Sequence, residues 1–266
     1  MSERVDGSPG AARRIAPAGG TRLSRTLDRG LLILVILAVW QLAHEWAGDV
    51  ALTSPLATLD YAGTLLGSAR FWPNALETGH ALVYALLISA LGGLGLGLAL
   101  GIHRLSGEVA EPILVALYAI PKITLYPLIL LIFGLGISAK VAFGAIHGII
   151  PVTIFALGAM RNLKPVYLQT ARVMRLTRLQ AARTVWLPAA LPEIVAGLRI
   201  GFSLTLLGVL IGEMFASQRG LGFLLMNAIS SNDVKTIMAV TLMIATVAVL
   251  ANAALLALDR RLHRGP

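Results

Sequence analysis

Six apolar runs, each of a length that crosses a bilayer, dominate this sequence: 30–46, 81–102, 113–133, 139–160, 189–215 and 237–258. A helix needs about 20 mostly apolar residues to span roughly 30 Å of hydrocarbon. A chain in lipid must also satisfy its own backbone hydrogen bonds, which leaves helices and closed barrels. Barrel strands read as alternating segments of about ten residues, whereas these runs are continuous. The expected fold class is therefore an all-α integral membrane protein with six transmembrane helices. Composition agrees, with 57% hydrophobic residues, 13% charged residues and a mean hydropathy of +0.80, outside the range of ordinary soluble domains.

The net charge of +9 raises nucleic acid as a partner, but the placement of the basic residues argues against it. Sixteen of the 22 Lys and Arg lie in 1–29, at Arg104, in 161–183 and in 259–266, all on one side of a six-span topology. The positive-inside rule puts that side, with both termini, in the cytoplasm of a multi-pass inner (plasma) membrane protein. Contact with anionic lipid is a secondary role for the same residues. Residues 1–29, rich in Gly, Pro, Ala and Arg, are expected to be a disordered basic tail. Residues 30–258 form the membrane domain, with a cytoplasmic loop at 161–187, and 259–266 form a C-terminal tail. The first run reads as an uncleaved anchor. Arg13-Arg14 lies well upstream of it and lacks the flanking pattern of a twin-arginine signal. The absence of cysteine excludes disulfides and thiolate metal sites.

Between the first two runs, 49–80 carries Pro55, Tyr61, Phe71, Trp72 and Pro73, and an outer helix at headgroup level is expected there. Gly93, Gly97 and Gly101 recur every four residues in the second run and allow a helix backbone to approach closely, either within the chain or between subunits. Pro121 and Pro127 interrupt the third run. Each removes a hydrogen bond, so the span is expected to kink or break, with simple bending and pore lining both open. Residues 134–138 make a short outer turn, so spans three and four form a hairpin.

The most informative stretch is QTARVMRLTRLQAARTVWLPAALP, from Gln169 to Pro192. Pro165 suits the first turn of a helix reaching about residue 174. Thr177 to Gln180 reads as a capping box, starting a second short helix over 178–186 before Pro188 returns the chain to the bilayer. Val173, Leu176, Leu179 and Ala182 among Arg172, Arg175, Arg178 and Arg183 give a surface both apolar and basic. By its physics alone it is either an interfacial segment on anionic headgroups or a docking element for a cytoplasmic partner.

This loop resembles the EAA motif of permease subunits of binding-protein-dependent ABC importers. Gln169-Thr170-Ala171 takes the Glu-Ala-Ala place, Arg175 the Gly place, Val185 the Ile place and Leu187-Pro188 the terminal pair. The departures are Gln169 for Glu, Thr170 for Ala, and Arg175 for a glycine that would allow a positive φ; an arginine adopts it at a cost of roughly 1–2 kcal/mol. Thr53-Ser54-Pro55, WPNALETGHAL from Trp72, IPKITLYPLILLIFGLG from Ile120 and EMFASQRGLGFLL from Glu213 are similar to the nitrate, sulfonate and taurine branch of that family. The resemblance implies the ABC importer permease fold with cytoplasmic coupling helices between spans four and five. It implies a homodimer of permeases, two cytoplasmic ABC ATPase subunits and an extracytoplasmic solute-binding protein. The expected function is import of a small polar, anionic solute of sulfonate, taurine or nitrate type. ATPase coupling then falls to Gln169, Ala171, Arg175, Thr177, Arg178, Leu179, Ala182, Leu187 and Pro188. The alternatives are an ion-coupled secondary transporter, which would favour paired mid-membrane acids and internal repeats, and an ABC permease for another solute such as a vitamin precursor.

No phosphate-cradling GxxxxGK[ST] occurs, so ATP and magnesium are expected only at partner subunits, with no cofactor or metal bound by this chain. The five histidines have no metal-ligand spacing and no catalytic constellation is visible, so the chain is not expected to be an enzyme by itself. Ionisable groups at membrane depth are site hypotheses by default. Lys122 and Glu213, with the helix-breaking Pro121 and Pro127, are the candidates for the translocation path. Glu213 is also placed to cap a neighbouring loop, and Lys140 and Arg199 to snorkel from helix ends.

Overall fold

A computed structural model describes residues 22–262. The greater part of the expected basic tail, 1–21, and the last four residues of the expected C-terminal tail lie outside the described residues. Every regular element described is a helix: α1 Arg22–Ala47, α2 Pro55–Leu66, α3 Phe71–Ile102, α4 Arg104–Ala119, a 3-10 turn Lys122–Leu125, α5 Tyr126–Phe133, α6 Ile137–Arg161, α7 Pro165–Val173, α8 Arg178–Ala181, a π-helical turn Ala182–Trp186, α9 Leu187–Ala216, α10 Leu221–Ser230 and α11 Val234–Leu262. Five segments are long and apolar enough to cross a membrane: Gly30–Ala47, Phe71–Ile102, Ile137–Arg161, Ala182–Phe215 and Val234–Ala257. The third expected span is the broken one. Arg104–Ala119 and Lys122–Phe133 meet at 82°, with Ile120 and Pro121 extended between them.

The two prolines of that span act differently. Pro121 stands at the break, where its missing N–H costs nothing. Pro127 sits in the first turn of α5, a position whose donor is unpaired in any helix, so it starts α5 and does not kink it. The outer segment likewise departs from expectation. Ser54 caps α2 through Ala57 N, with Pro55 in its first turn, but Phe71, Trp72 and Pro73 already belong to α3. Pro73 falls within the first turn of that helix, so the second long helix begins ten residues before the apolar run does. Gly134 and Gly136 make the tight turn from α5 to α6.

The core is α6 clasped between α3 and α9. Small residues let the backbones close. A Cβ on Gly93 would lie 2.6 Å from Val152 Cβ, and one on Gly97 2.5 Å from Ala156 Cβ. The glycine ladder of α3 is therefore spent inside the chain. Ser89, on the same buried face, donates to Ala145 O at 3.2 Å and lies 3.2 Å from the Thr205 hydroxyl, joining α3, α6 and α9 by polar contacts at membrane depth. Helices α2, α10 and α11 pack around Ala62, Leu65, Phe71, Leu224, Ala239 and Val240. The apolar run of α1 has no buried residue. Trp40 Nε1 to Thr53 O at 3.0 Å and His44 to Leu52 O at 2.6 Å fasten its end to the following loop.

Candidate functional site

Helix α7 begins at Pro165 and ends in a left-handed turn. Leu176 N donates to Ala171 O and Arg175 N to Arg172 O, both at 3.0 Å, with Arg175 at φ 49°. This is the Schellman arrangement, in which a residue of positive φ closes the last carbonyls of a helix. The departure from glycine at position 175 left the form of this turn open; the arginine there adopts the positive φ that a glycine would. Two residues on, the expected capping box is formed. Gln180 Oε1 accepts from Thr177 N at 2.9 Å, and Gln180 N approaches Thr177 Oγ1 at 3.4 Å. Four residues, Met174 to Thr177, thus join the two helices.

One expectation about this loop is corrected. The second helix does not end near Trp186 for Pro188 to restart the chain: α8, the π-helical turn and α9 follow without interruption. Leu187 N bonds to Ala182 O, five residues back. The wider turn is inserted immediately before Pro188, which has no N–H to give, and proline and π-turns are recognised ways of accommodating a local fault in a helix. Pro188 then occupies the first turn of α9.

The candidate coupling residues divide by exposure. Ala171 and Ala181 are buried where the two short helices meet, so Ala171 packs the loop and does not present a surface. Gln169, Arg172, Arg175 and Arg183 are exposed, as are Thr177, Leu187 and Pro188, and Ala182 is half-buried. The side chains of Arg178 and Leu179 lie outside the described residues. Val173 is 83% exposed and Met174 63% exposed, both at the tip of α7. This leaves an apolar tip flanked in sequence by Arg172 and Arg175, next to its own turn and capping box.

The candidates for the translocation path are not gathered in one place. Lys122 stands on the 3-10 turn after the break, donates to Tyr118 O at 3.0 Å and lies 4.9 Å from the centre of the Tyr118 ring. It does not pair with Glu111, whose carboxylate is taken by Arg161. Glu213 is fully buried. Its carboxylate accepts from Thr78 Oγ1 at 2.8 Å and from Gly222 N at 3.0 Å, at the start of α10. Asn74 Oδ1 accepts from Gly220 N at 2.9 Å, and Thr78 Oγ1 from Leu221 N at 2.8 Å. The turn between α9 and α10 is thereby latched onto α3, which is the loop-capping role open to Glu213 from its place in the sequence.

Lys140 belongs to the same cluster, although a snorkelling cation was expected. Its side chain is 2% exposed and its ammonium donates to Glu77 Oε1 at 3.0 Å and to Arg219 O at 2.6 Å. A buried ammonium must be paired, and its partners come from 63 and 79 residues away in sequence. Glu77, Thr78 and Asn74 were not among the sequence candidates. Their only signal was polar residues spaced along one face at the head of an apolar helix.

Residues 92–265 match the family model described as binding-protein-dependent transport system inner membrane component. The chain is 28% identical over 243 residues to the taurine transport system permease protein TauC of Escherichia coli (strain K12), covering 89% of this chain and 88% of that protein. It is 27% identical over 261 residues to the nitrate import permease protein NrtB of Leptolyngbya laminosa, covering 92% of each. Its fold is similar, with a TM-score of 0.62 at 20% identity, to a chain of the MetNI methionine ABC transporter in an inward facing conformation, over 70% of this chain and 93% of that one.

Proposed function

The chain belongs to the family of binding-protein-dependent transport system inner membrane components, and on that premise we propose that it is the membrane-spanning subunit of an ABC importer for a small anionic solute of taurine, sulfonate or nitrate type. It acts as a homodimer with two cytoplasmic ATPase subunits, which bind ATP and magnesium, and with an extracytoplasmic binding protein that delivers the solute. The transport subunit performs no hydrolysis itself. Both termini and the loop at 161–187 face the cytoplasm, in keeping with the placement of the basic residues.

The observation that carries this reading is the exposed apolar tip of Val173 and Met174, flanked in sequence by Arg172 and Arg175, next to its own turn and capping box. Apolar side chains that project into water have a function when a partner covers them. A loop continuous with α9 transmits a partner's movement to the membrane core, because α9 packs directly on α6. ATP binding then shifts the balance of inward- and outward-open states only through the difference in partner contact between them. The solute class rests on the names of the relatives and on Lys122, a cation at the break in the third span.

The test is co-expression with the ATPase encoded nearest to this chain. Stoichiometric co-purification, with ATP-dependent uptake of labelled sulfonate or nitrate in vesicles carrying the cognate binding protein, is the expected result. Uptake driven by an ion gradient without ATP would instead establish a secondary transporter.

A further inference from the structure

A groove of about 1000 Å³ opens between the α3–α4 junction, the end of α6 and the π-helical turn. Its apolar lining includes Leu98, Ile102, Met160 and Leu187. Arg104, Arg161 and Arg183 share the lining with His103, Glu108 and Trp186. Two of the three guanidinium groups are engaged, Arg104 with Glu108 at 2.8 Å and Arg161 with Glu111. Among the described residues no carboxylate pairs with Arg183, which is exposed. The buried indole nitrogen of Trp186 has no acceptor there either.

The groove's depth is set by its neighbours. Arg104 begins α4 and Arg161 ends α6, and cations that flank apolar runs sit at the level of the headgroups. The apolar lining reaches the surface at Ile102, 59% exposed, and Leu105, three residues along the chain, is 73% exposed. A free aqueous anion would match Arg183 but leave the apolar lining wet, and a neutral acyl chain would cover the apolar lining but leave Arg183 unmatched. We propose that the groove binds a phospholipid with an anionic headgroup, its phosphate facing Arg183 and the first segments of its acyl chains lying on Ile102, Met160 and Leu187. The lipid lies in the cytoplasmic leaflet; that placement rests on the orientation proposed above, whereas the binding itself does not. A lipid here buttresses the π-helical turn where the loop joins α9.

The test is lipid titration of the purified full-length chain in detergent, followed by native mass spectrometry and by thermal unfolding. Phosphatidylglycerol, phosphatidylcholine and soluble glycerol phosphate are the probes. The wild-type chain is expected to retain phosphatidylglycerol in preference to phosphatidylcholine and to be stabilised by it, with no response to glycerol phosphate. Arg183→Gln should weaken retention of phosphatidylglycerol about fivefold, the value of one basic residue near an anionic surface. Lys235→Gln, at the start of α11 and outside the groove, should leave it unchanged. Equal retention of the two lipids by the wild-type chain overturns the proposal, as does a loss in Arg183→Gln no larger than in Lys235→Gln. A response to glycerol phosphate equal to that of the lipid identifies a free-anion site and overturns it too. If Arg183→Gln does not fold, the three wild-type titrations decide. No solute, ATP or ATPase is present, so the outcome is separate from that of the transport reading.

Discussion

Lys140 Nζ lies 3.0 Å from Glu77 Oε1 and 3.9 Å from Glu213 Oε1, with its side chain 2% exposed. One ammonium thus serves two carboxylates, one fully and one largely buried, from three different helices. Removing one member of such a cluster leaves uncompensated buried charge, which typically costs 3–5 kcal/mol. Lys140→Met is accordingly expected to lower thermal stability in detergent sharply. The double variant with Glu77→Gln should recover a substantial part of the loss. Full stability in Lys140→Met alone would show that the cluster is not energetically coupled.

Close packing of α3 on α6 gives a second expectation. A Cβ on Gly97 would stand 2.5 Å from Ala156 Cβ and 2.6 Å from Thr153 O, whereas one on Gly95 meets nothing within 4 Å. Gly97→Ala should destabilise by about 1–3 kcal/mol through overpacking. Gly95→Ala should be neutral or slightly stabilising, since alanine is the better helix former. Thermal unfolding of the two variants side by side checks the register of the helix pair; equal effects would contradict it.

Arg175 has φ 49° at the end of α7, a conformation that glycine adopts without strain. Arg175→Gly is expected to slow hydrogen exchange of the Arg175 and Leu176 amides, whose bonds close the turn. The local gain should be about 1 kcal/mol. Faster exchange there would show that the arginine side chain, and not the backbone, holds the turn.

The membrane class and the capping box of the loop were legible in the sequence because they depend on local pattern: run length for the spans, and a three-residue spacing for Thr177 and Gln180. The register of the EAA-like motif marked position 175 as a glycine place, but the arginine there left the form of the turn open until the backbone showed a φ of 49°. What local pattern does not reveal depends on contacts distant in sequence. Lys140 reads as a cation near a helix end until Glu77 and the Arg219 carbonyl are brought to it. Pro188 reads as a point beyond the end of the second short helix until a π-turn is seen to carry that helix on into α9. The early start of α3 is hidden because Trp72 to His80 is not apolar, although its Asn74 and Thr78 are buried by the α9–α10 turn.

Lys122, at the break of the third span, bears on the solute path. Lys122→Met keeps much of the side chain and removes the charge. Uptake of an anionic solute in vesicles should fall several-fold, while assembly with the ATPase and basal ATP hydrolysis persist. Unchanged uptake over a range of solute concentrations would remove Lys122 from the path.

The central claim, that the tip of α7 is where the ATPase engages, is tested most directly at Val173. This side chain is 83% exposed, so Val173→Asp has no packing to disturb within the chain, and its charge becomes costly only when a partner covers it without compensation. The measurement is the amount of ATPase that co-purifies with Val173→Asp and with Val173→Thr from the same membranes, alongside ATP-driven uptake. The account predicts near-complete loss of both for the aspartate variant at normal membrane levels, with the threonine variant close to wild type. Full co-purification and uptake with Val173→Asp would contradict it.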